Sequence, residues 1–375
     1  MKQLVLLGGG HSHIEVLRRL GYGRPPATRI TLVNPGPHAI YSGMLPGLIA
    51  GHYAADDCRI DLARLCRFAG AECVIASATA LDPAQRRVKL SDGKTLAYDV
   101  LSFDTGSAPD VRTIPGAAEY TIGVRPLAQF LKSWDAICAA VTASRQGPAI
   151  AVVGGGAGGV ELALAMRHRL TAAVRGGSRV ADIHLVTDSA TILPHHPRRV
   201  RRILTTLLHR HGIALHAGSR VTKVTRSAIH RESGAPLRAT FIILAISAGA
   251  PSWIADSGVA TDRDGFIAVN DALQSVSHPD VFAAGDVASP LNHTTPKSGV
   301  YAVRQGPPLA GNLLAALASR PLTAHLPQRR ALALISTGDR HAVASWGPLT
   351  FSGDWVWRWK DRIDRRFVAK YREAV

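Results

Sequence analysis

The chain alternates short apolar runs with amphipathic stretches, and it does so twice in the same order. Residues 4–20 read LVLLGGGHSHIEVLRRL and residues 150–166 read IAVVGGGAGGVELALAM. In each, an unbroken apolar run predicts a strand buried on both faces, three glycines break it, and a helical pattern follows. The runs ITLVNPGPHAI at 30–40 and IHLVTDSATIL at 183–193 repeat as well and predict the neighbouring strand of each unit. FIILAISAGA at 241–250 predicts a further buried strand and turn, and MKQLVLLGGG a first strand that enters a turn directly, unlike a targeting segment. Strands alternating with helices predict an α/β fold: two Rossmann-like dinucleotide-binding domains with parallel sheets, followed by a small C-terminal segment.

A strand, a glycine turn and a helix make a cradle for a dinucleotide pyrophosphate. The backbone approaches phosphate only where no Cβ intervenes, and the N–H groups of the helix N-terminus bind the anion. The second copy is complete, with Gly154, Gly156 and Gly159 followed by Val160 and Glu161. The first has Gly8 and Gly10, but His13 stands where the third glycine belongs, which predicts wider helix–strand packing. Two cradles on one chain imply two dinucleotides and electron transfer between them.

The two halves end alike. YDVLSFDTGSAP at 98–109 and FIILAISAGAPS at 241–252 are each a strand running into a glycine turn and a proline. The reading divides the chain into a discontinuous first domain, residues 1–112 and 259–325, a second domain at 113–258, and a C-terminal segment at 326–375.

Composition narrows the class. With 375 residues, 46% hydrophobic and 19% charged, the chain is long and apolar enough for several packed domains. No run approaches the roughly 18 apolar residues of a spanning helix. The net charge of +17 favours anionic partners. No nucleic-acid module accompanies it, so an anionic membrane surface ranks above DNA or RNA. Cys58, Cys66, Cys73 and Cys138 include no CxxC pair, and HAIYSGMLPGL at 38–48 has no cysteine, so they read as small hydrophobes of a reducing cytoplasm. His11 with His13, and His195 with His196, lack a third ligand at metal spacing and read as turn and surface histidines.

Trp355, Trp359, Ile363, Phe367 and Tyr371 recur at four-residue steps among Arg358, Lys360, Arg362, Arg365, Arg366, Lys370 and Arg372. This predicts a basic amphipathic helix over 355–372, suited to an anionic membrane surface or to docking on its own domain or a second copy.

With VFAAGD at 281–286, the chain resembles the two-dinucleotide flavoproteins of the pyridine nucleotide–disulfide oxidoreductase type. More narrowly it resembles the type II NADH dehydrogenases. GGGHSHIEVL, YSGMLPGLIAGHY and SGVYAVRQGP look like the NADH-dehydrogenase-like proteins associated with selenide, water dikinase. The resemblance covers residues 1 to about 320. It implies FAD in the first cradle, held by Gly8, Gly10, His11, Ser12 and Asn34, with Pro46, Thr105, Gly106, Gly285, Asp286, Lys297, Ser298 and Gly299 around it. Asp286 would meet the ribityl and phosphate region. It implies NADH, with NADPH as the alternative, on Gly154, Gly156, Gly159, Glu161, Thr187, Asp188 and Gly249.

The departures are informative. Asn34 and Thr187 replace the carboxylates that usually hold adenosine ribose hydroxyls, and Arg198 or Arg199 lies where a 2′-phosphate could be drawn. The quinone-associated AQxAxQ-like element reads GVYAVR at 299–304, with only Ala302 fitting and Gln305 next. Lys297 and Ser298 would start this helix beside the flavin. The resulting expectation is a FAD-dependent NAD(P)H oxidoreductase that passes electrons to a quinone or similar small acceptor without a redox disulfide, in the cytoplasm or peripheral on the inner face of the membrane. A soluble flavin reductase for a protein or selenium-related acceptor, and a non-catalytic nucleotide-binding sensor, remain open. So does oligomeric state, a dimer included.

Overall fold

The computed structural model describes residues 1–109, 111–144, 147–173, 180–246, 248–328 and 330–373. The first unit runs β1 (Lys2–Leu7), α1 (His11–Tyr22), β2 (Thr28–Asn34), β3 (Glu72–Ile75) and β4 (Val100–Phe103). The second runs β5 (Ile122–Gly123), α2 (Leu127–Ala143), β6 (Ala149–Val153), α3 (Ala157–Ala173), β7 (Asp182–Val186), α4 (Arg198–Arg210), β8 (Ile213–His216) and β9 (Phe241–Leu244). Then come β10 (Val281–Ala283), α5 (Gly299–Leu317), β11 (Ala333–Ser336), β12 (Ala342–Trp346), β13 (Leu349–Gly353) and α6 (Asp354–Arg372).

The strands sort into two parallel five-stranded sheets, ordered β10-β4-β1-β2-β3 and β5-β9-β6-β7-β8. The strands that lead into the glycine turns, β1 and β6, sit at the centre of their sheets. β10 pairs in parallel with β4, Val281 opposite Leu101, so the chain returns to the first sheet after completing the second. β1 is apolar throughout its buried length because helices or small sheets cover both faces. In each sheet the chain leaves the central strand in opposite directions. The resulting crevice, at the carboxyl ends of the strands, is where such sheets bind ligands.

The C-terminal segment is not a separate body. β11, β12 and β13 form an antiparallel sheet, and Ile335 and Val343 join the apolar core built by α2, α3 and the second sheet. Val368 and Tyr371 of α6 join the core beneath the first sheet, beside Leu4, Leu17 and Leu313. The buried stripe of α6 is Val356, Lys360, Asp364, Val368 and Tyr371, one position off the aromatic stripe over most of its length. Trp355, Trp359 and Ile363 therefore face outward, at 49%, 40% and 40% exposure, while Phe367 is half-buried.

Candidate active site

The two glycine turns have the geometry that their sequences demand. Gly8 has φ +90°, and a Cβ there would lie 2.4 Å from the Asp104 carbonyl oxygen. At Gly154, with φ +129°, the obstacle is the Ala245 carbonyl at 2.2 Å, and at Gly159 it is the Gly154 carbonyl at 1.9 Å. Gly156 meets nothing within 4 Å, which leaves its backbone open to a ligand.

His13 does not simply widen the packing at the third-glycine position. It is fully buried, with Nδ1 2.7 Å from the Gly8 carbonyl and Nε2 2.8 Å from Ser102 Oγ. The imidazole is a wedge between the turn, α1 and β4. Burial lowers its pKa to about 4, despite the Gly8 hydrogen bond, so it is neutral at physiological pH.

A cavity of about 1030 Å³ opens at the carboxyl end of the first sheet. Gly8, Gly10, His11, Asn34, Thr105, Gly106, Asp286 and Gly299 line it. Other predicted residues fall outside this lining. Lys297 donates to the Ala288 carbonyl at 2.5 Å, with its ammonium 3.8 Å from the centre of the Phe266 ring, because burial favours those partners over an open cavity. Ser298 is the residue before α5, without a side-chain cap bond, and Pro46 is buried in a short helix at 45–50. Ser12 points away, Oγ donating to the Ala302 carbonyl at 2.7 Å. Gly285 is covered by Asp104, whose Oδ1 would lie 2.4 Å from a Cβ there. Asn34 lines the cavity, but its amide braces the turn: Oδ1 accepts from Gly9 N at 2.8 Å and Nδ2 donates to Gly36 O at 2.7 Å.

In the second unit, Thr187 is buried against Gly155, while Asp188 is exposed. Gly249 lies in a two-residue strand paired antiparallel with Ala108–Pro109, stitching the two units together. Glu161 is tied to the C-terminal sheet: its Oε1 accepts from Ser336 N of β11 at 2.8 Å. Burial raises its pKa to about 7, opposed by Lys360 and the Ser336 bond and reinforced by Asp364. The turn of a helix sets this direction, since Glu161 leaves α3 on the face that meets the C-terminal sheet.

Several functional residues carry no simple sequence signal. Arg125 donates to Asp286 Oδ2 at 2.6 Å and to Ser107 Oγ at 2.8 Å, so the VFAAGD aspartate is ion-paired across the two units. α2 lends a wall through Leu127, Gln129, Lys132 and Ser133. Tyr41 and Phe367 stack with ring centres 4.3 Å apart, and His11 meets Tyr41 edge-on at 5.4 Å, closing one end of the cavity. Below them Lys360 donates to Gly43 O at 2.6 Å and to Asp364 Oδ2 at 2.5 Å, and the Tyr41 hydroxyl bonds Asp364. Asp104 did have a signal, an acid at the end of the apolar strand VLSF.

A bound dinucleotide fits these residues. His11 Nε2 is buried with no hydrogen-bond partner among the described residues, and the ring lines the cavity. Burial lowers its pKa to about 4, Asp286 opposing and Arg125 adding, so a neutral imidazole is presented to a ligand. The four thiols are free, and none lines the cavity. Burial pushes Cys58 up to about 12 and Cys138 up to about 11, which withholds the reactive thiolate.

The chain is 24% identical to an NADH dehydrogenase-like protein of Bacillus subtilis over 290 residues, 77% of each chain. It is 25% identical to the demethylphylloquinone reductase of Synechocystis over 334 residues, 85% of this chain and 81% of that one. The fold matches the sulfide:quinone oxidoreductase of Aquifex aeolicus with a TM-score of 0.82 at 22% identity, covering 100% of this chain and 92% of that one. Residues 2–306, spanning both glycine turns, the ion-paired Asp286 and the start of α5, match the family profile, and the chain belongs to the pyridine nucleotide-disulphide oxidoreductase family.

Proposed function

We propose that this protein is a FAD-dependent NAD(P)H oxidoreductase that delivers electrons to a quinone. The cavity at the first glycine turn carries the reading: it is dinucleotide-sized, holds an imidazole nitrogen with no hydrogen-bond partner among the described residues, and is lined by no thiol. Bound FAD would supply the redox chemistry, accepting hydride from the nicotinamide and passing electrons on. The protein's part is to bind and orient. Gly8 and Gly10 let the backbone approach the pyrophosphate, Arg125 pairs with Asp286 at the cavity wall, and Tyr41 with Phe367 shields the far end from water. Quinone as acceptor is supported by the likeness to demethylphylloquinone reductase. The decisive experiment is anaerobic stopped flow: the NADH-reduced protein is mixed with a quinone or with oxygen. Faster oxidation by quinone is expected; no flavin, or a flavin oxidised only by a protein or selenium acceptor, overturns the reading. A variant with all four cysteines replaced by Ala should be reduced by NADH at the parental rate. Loss of about a thousandfold at equal FAD content, about 4 kcal/mol of barrier, would sink direct transfer.

A peripheral position on an anionic membrane is the reading that the outer face of α6 supports. Phe351 of β13 meets Trp355 at 6.1 Å, and Trp355 stacks on Trp359 at 6.5 Å. Trp346, Leu349 and Ile363 extend this exposed apolar patch, with exposed Arg358, Arg362 and Arg366 alongside. Apolar rings and basic residues on one surface suit insertion at the headgroup level. Among the described residues no helix is long and apolar enough to cross a membrane. Replacing Trp355, Trp359 and Ile363 together by Ser should leave the fold intact and abolish flotation with anionic vesicles at low salt. If the parent does not float, or floats equally with neutral lipid at high salt, the patch serves another partner; gel filtration then shows whether that is a second copy.

A further inference from the structure

We infer that Asp104 receives FAD as a neutral carboxylic acid, so that FAD binding and protonation of this one buried side chain are coupled. The inference rests on the first glycine turn being the FAD site. Asp104 leaves the carboxyl end of β4 and is 3% exposed. Its Oδ2 accepts from Ser12 N at 2.7 Å and His13 N at 2.9 Å, two N–H groups of the first turn of α1. Its Oδ1 is pressed against Gly10 and Gly285, where a Cβ would in either case lie 2.4 Å away. Those two glycines therefore hold the carboxyl group in place as much as they admit a cofactor. The helix N-terminus that a pyrophosphate would use already carries an acid that cannot swing aside.

The charges around Asp104 do not compensate a second anion. Asp286 faces it from the 285–287 turn. His11 and His13 come from α1, and burial keeps both neutral. Arg125, the cation paired with Asp286, has its guanidinium bound to Asp286 Oδ2 and Ser107 Oγ, and among the described residues no cation is bonded to Asp104. From α5 the neighbours are uncharged: Ala302 and Gln305, whose Oε1 accepts from Gly285 N at 2.7 Å. A pyrophosphate would add negative charge near a buried acid with no ion-pair partner among the described residues, and like charges brought close together favour the protonated form of the weaker acid. With Oδ2 engaged by two N–H donors, Oδ1 is the oxygen that takes the proton. Burial already raises the Asp104 pKa to about 7, with the His13 and Ser12 bonds opposing and Asp286 reinforcing.

The sign follows from linkage. Above pH 7 the free site is ionised and must take up a proton to bind, so FAD is held less tightly as pH rises, by up to about tenfold per pH unit until the bound-state pKa is reached. Asp104→Asn mimics the neutral acid, its carbonyl oxygen accepting both N–H bonds. The experiment follows FAD release from diluted holoprotein by flavin fluorescence between about pH 6 and 9, for parent and variant. A Kd that climbs above pH 7 in the parent and stays level in Asp104→Asn is expected. Infrared spectra of the holoprotein at pH 8 should carry a protonated-carboxyl stretch, which stands even if the variant fails to fold. A level parental Kd, an undiminished pH dependence in the variant, or absence of that stretch overturns the inference. If the parent binds no FAD at any pH, the FAD reading itself fails, which is a separate outcome.

Discussion

Gly8→Ala protein is expected to leave purification colourless, while Gly156→Ala protein is expected to be yellow, stable and poor at using NADH. At Gly8 the added methyl meets the carbonyl oxygen of Asp104 at 2.4 Å and its carbonyl carbon at 2.7 Å. Neither can retreat, because Asp104 N donates to Leu7 O at 2.8 Å at the end of the β1–β4 ladder. Left-handed strain and overpacking together cost about 2–5 kcal/mol, a large part of a typical domain's stability. At Gly156 the methyl meets no protein atom within 4 Å. Stability should then change by less than about 0.5 kcal/mol, and the methyl should obstruct only an incoming dinucleotide. Thermal melts, flavin content and the KM for NADH separate the two. A yellow Gly8→Ala protein of parental stability, or a Gly156→Ala protein with parental KM, would remove the respective cradle from the site.

A chain ending at Gly353 should lose most of its stability as well as any membrane affinity. α6 supplies Val356, Val368 and Tyr371 to the buried interior, each worth about 1.5–3 kcal/mol on removal from water. It also supplies polar ties that span the molecule. Glu15 Oε2 accepts from Lys370 Nζ at 2.6 Å and from the Tyr371 hydroxyl at 3.0 Å. Burial alone would raise the Glu15 pKa, but hydrogen bonds from Arg18, Lys370 and Arg19 hold it down at about 2. Without α6, Glu15 loses Lys370 and Tyr371, and Tyr41 loses Asp364 and the Phe367 ring. Melting temperature and FAD retention should fall together. A truncated chain that melts with the parent and keeps its FAD would show that α6 is only an appendage.

Much of the architecture was legible along the chain because its cause is local. A left-handed or crowded turn needs glycine, so Gly8, Gly154 and Gly159 announced both cradles. An apolar run between glycine and helix announced each central strand, since a parallel strand is covered on both faces. The spacing of Trp355, Trp359 and Ile363 announced a helix with an apolar stripe.

What only the tertiary structure decided is which side chains meet. Asp286 and Arg125 are 161 residues apart, and Lys360 and Gly43 317, so no periodicity could pair them. The contact of Glu161 with Ser336 depends on where the C-terminal sheet packs against α3. The same holds for α6, whose sequence stripe was equally compatible with lipid and with protein. A shift of one residue from the aromatic stripe to the stripe through Lys360 and Asp364 let the helix bury one face while the other stayed exposed. The residue pattern sets which faces of an element are apolar; the partner that covers each face is chosen by burial and by satisfying buried charges, which are properties of the whole fold.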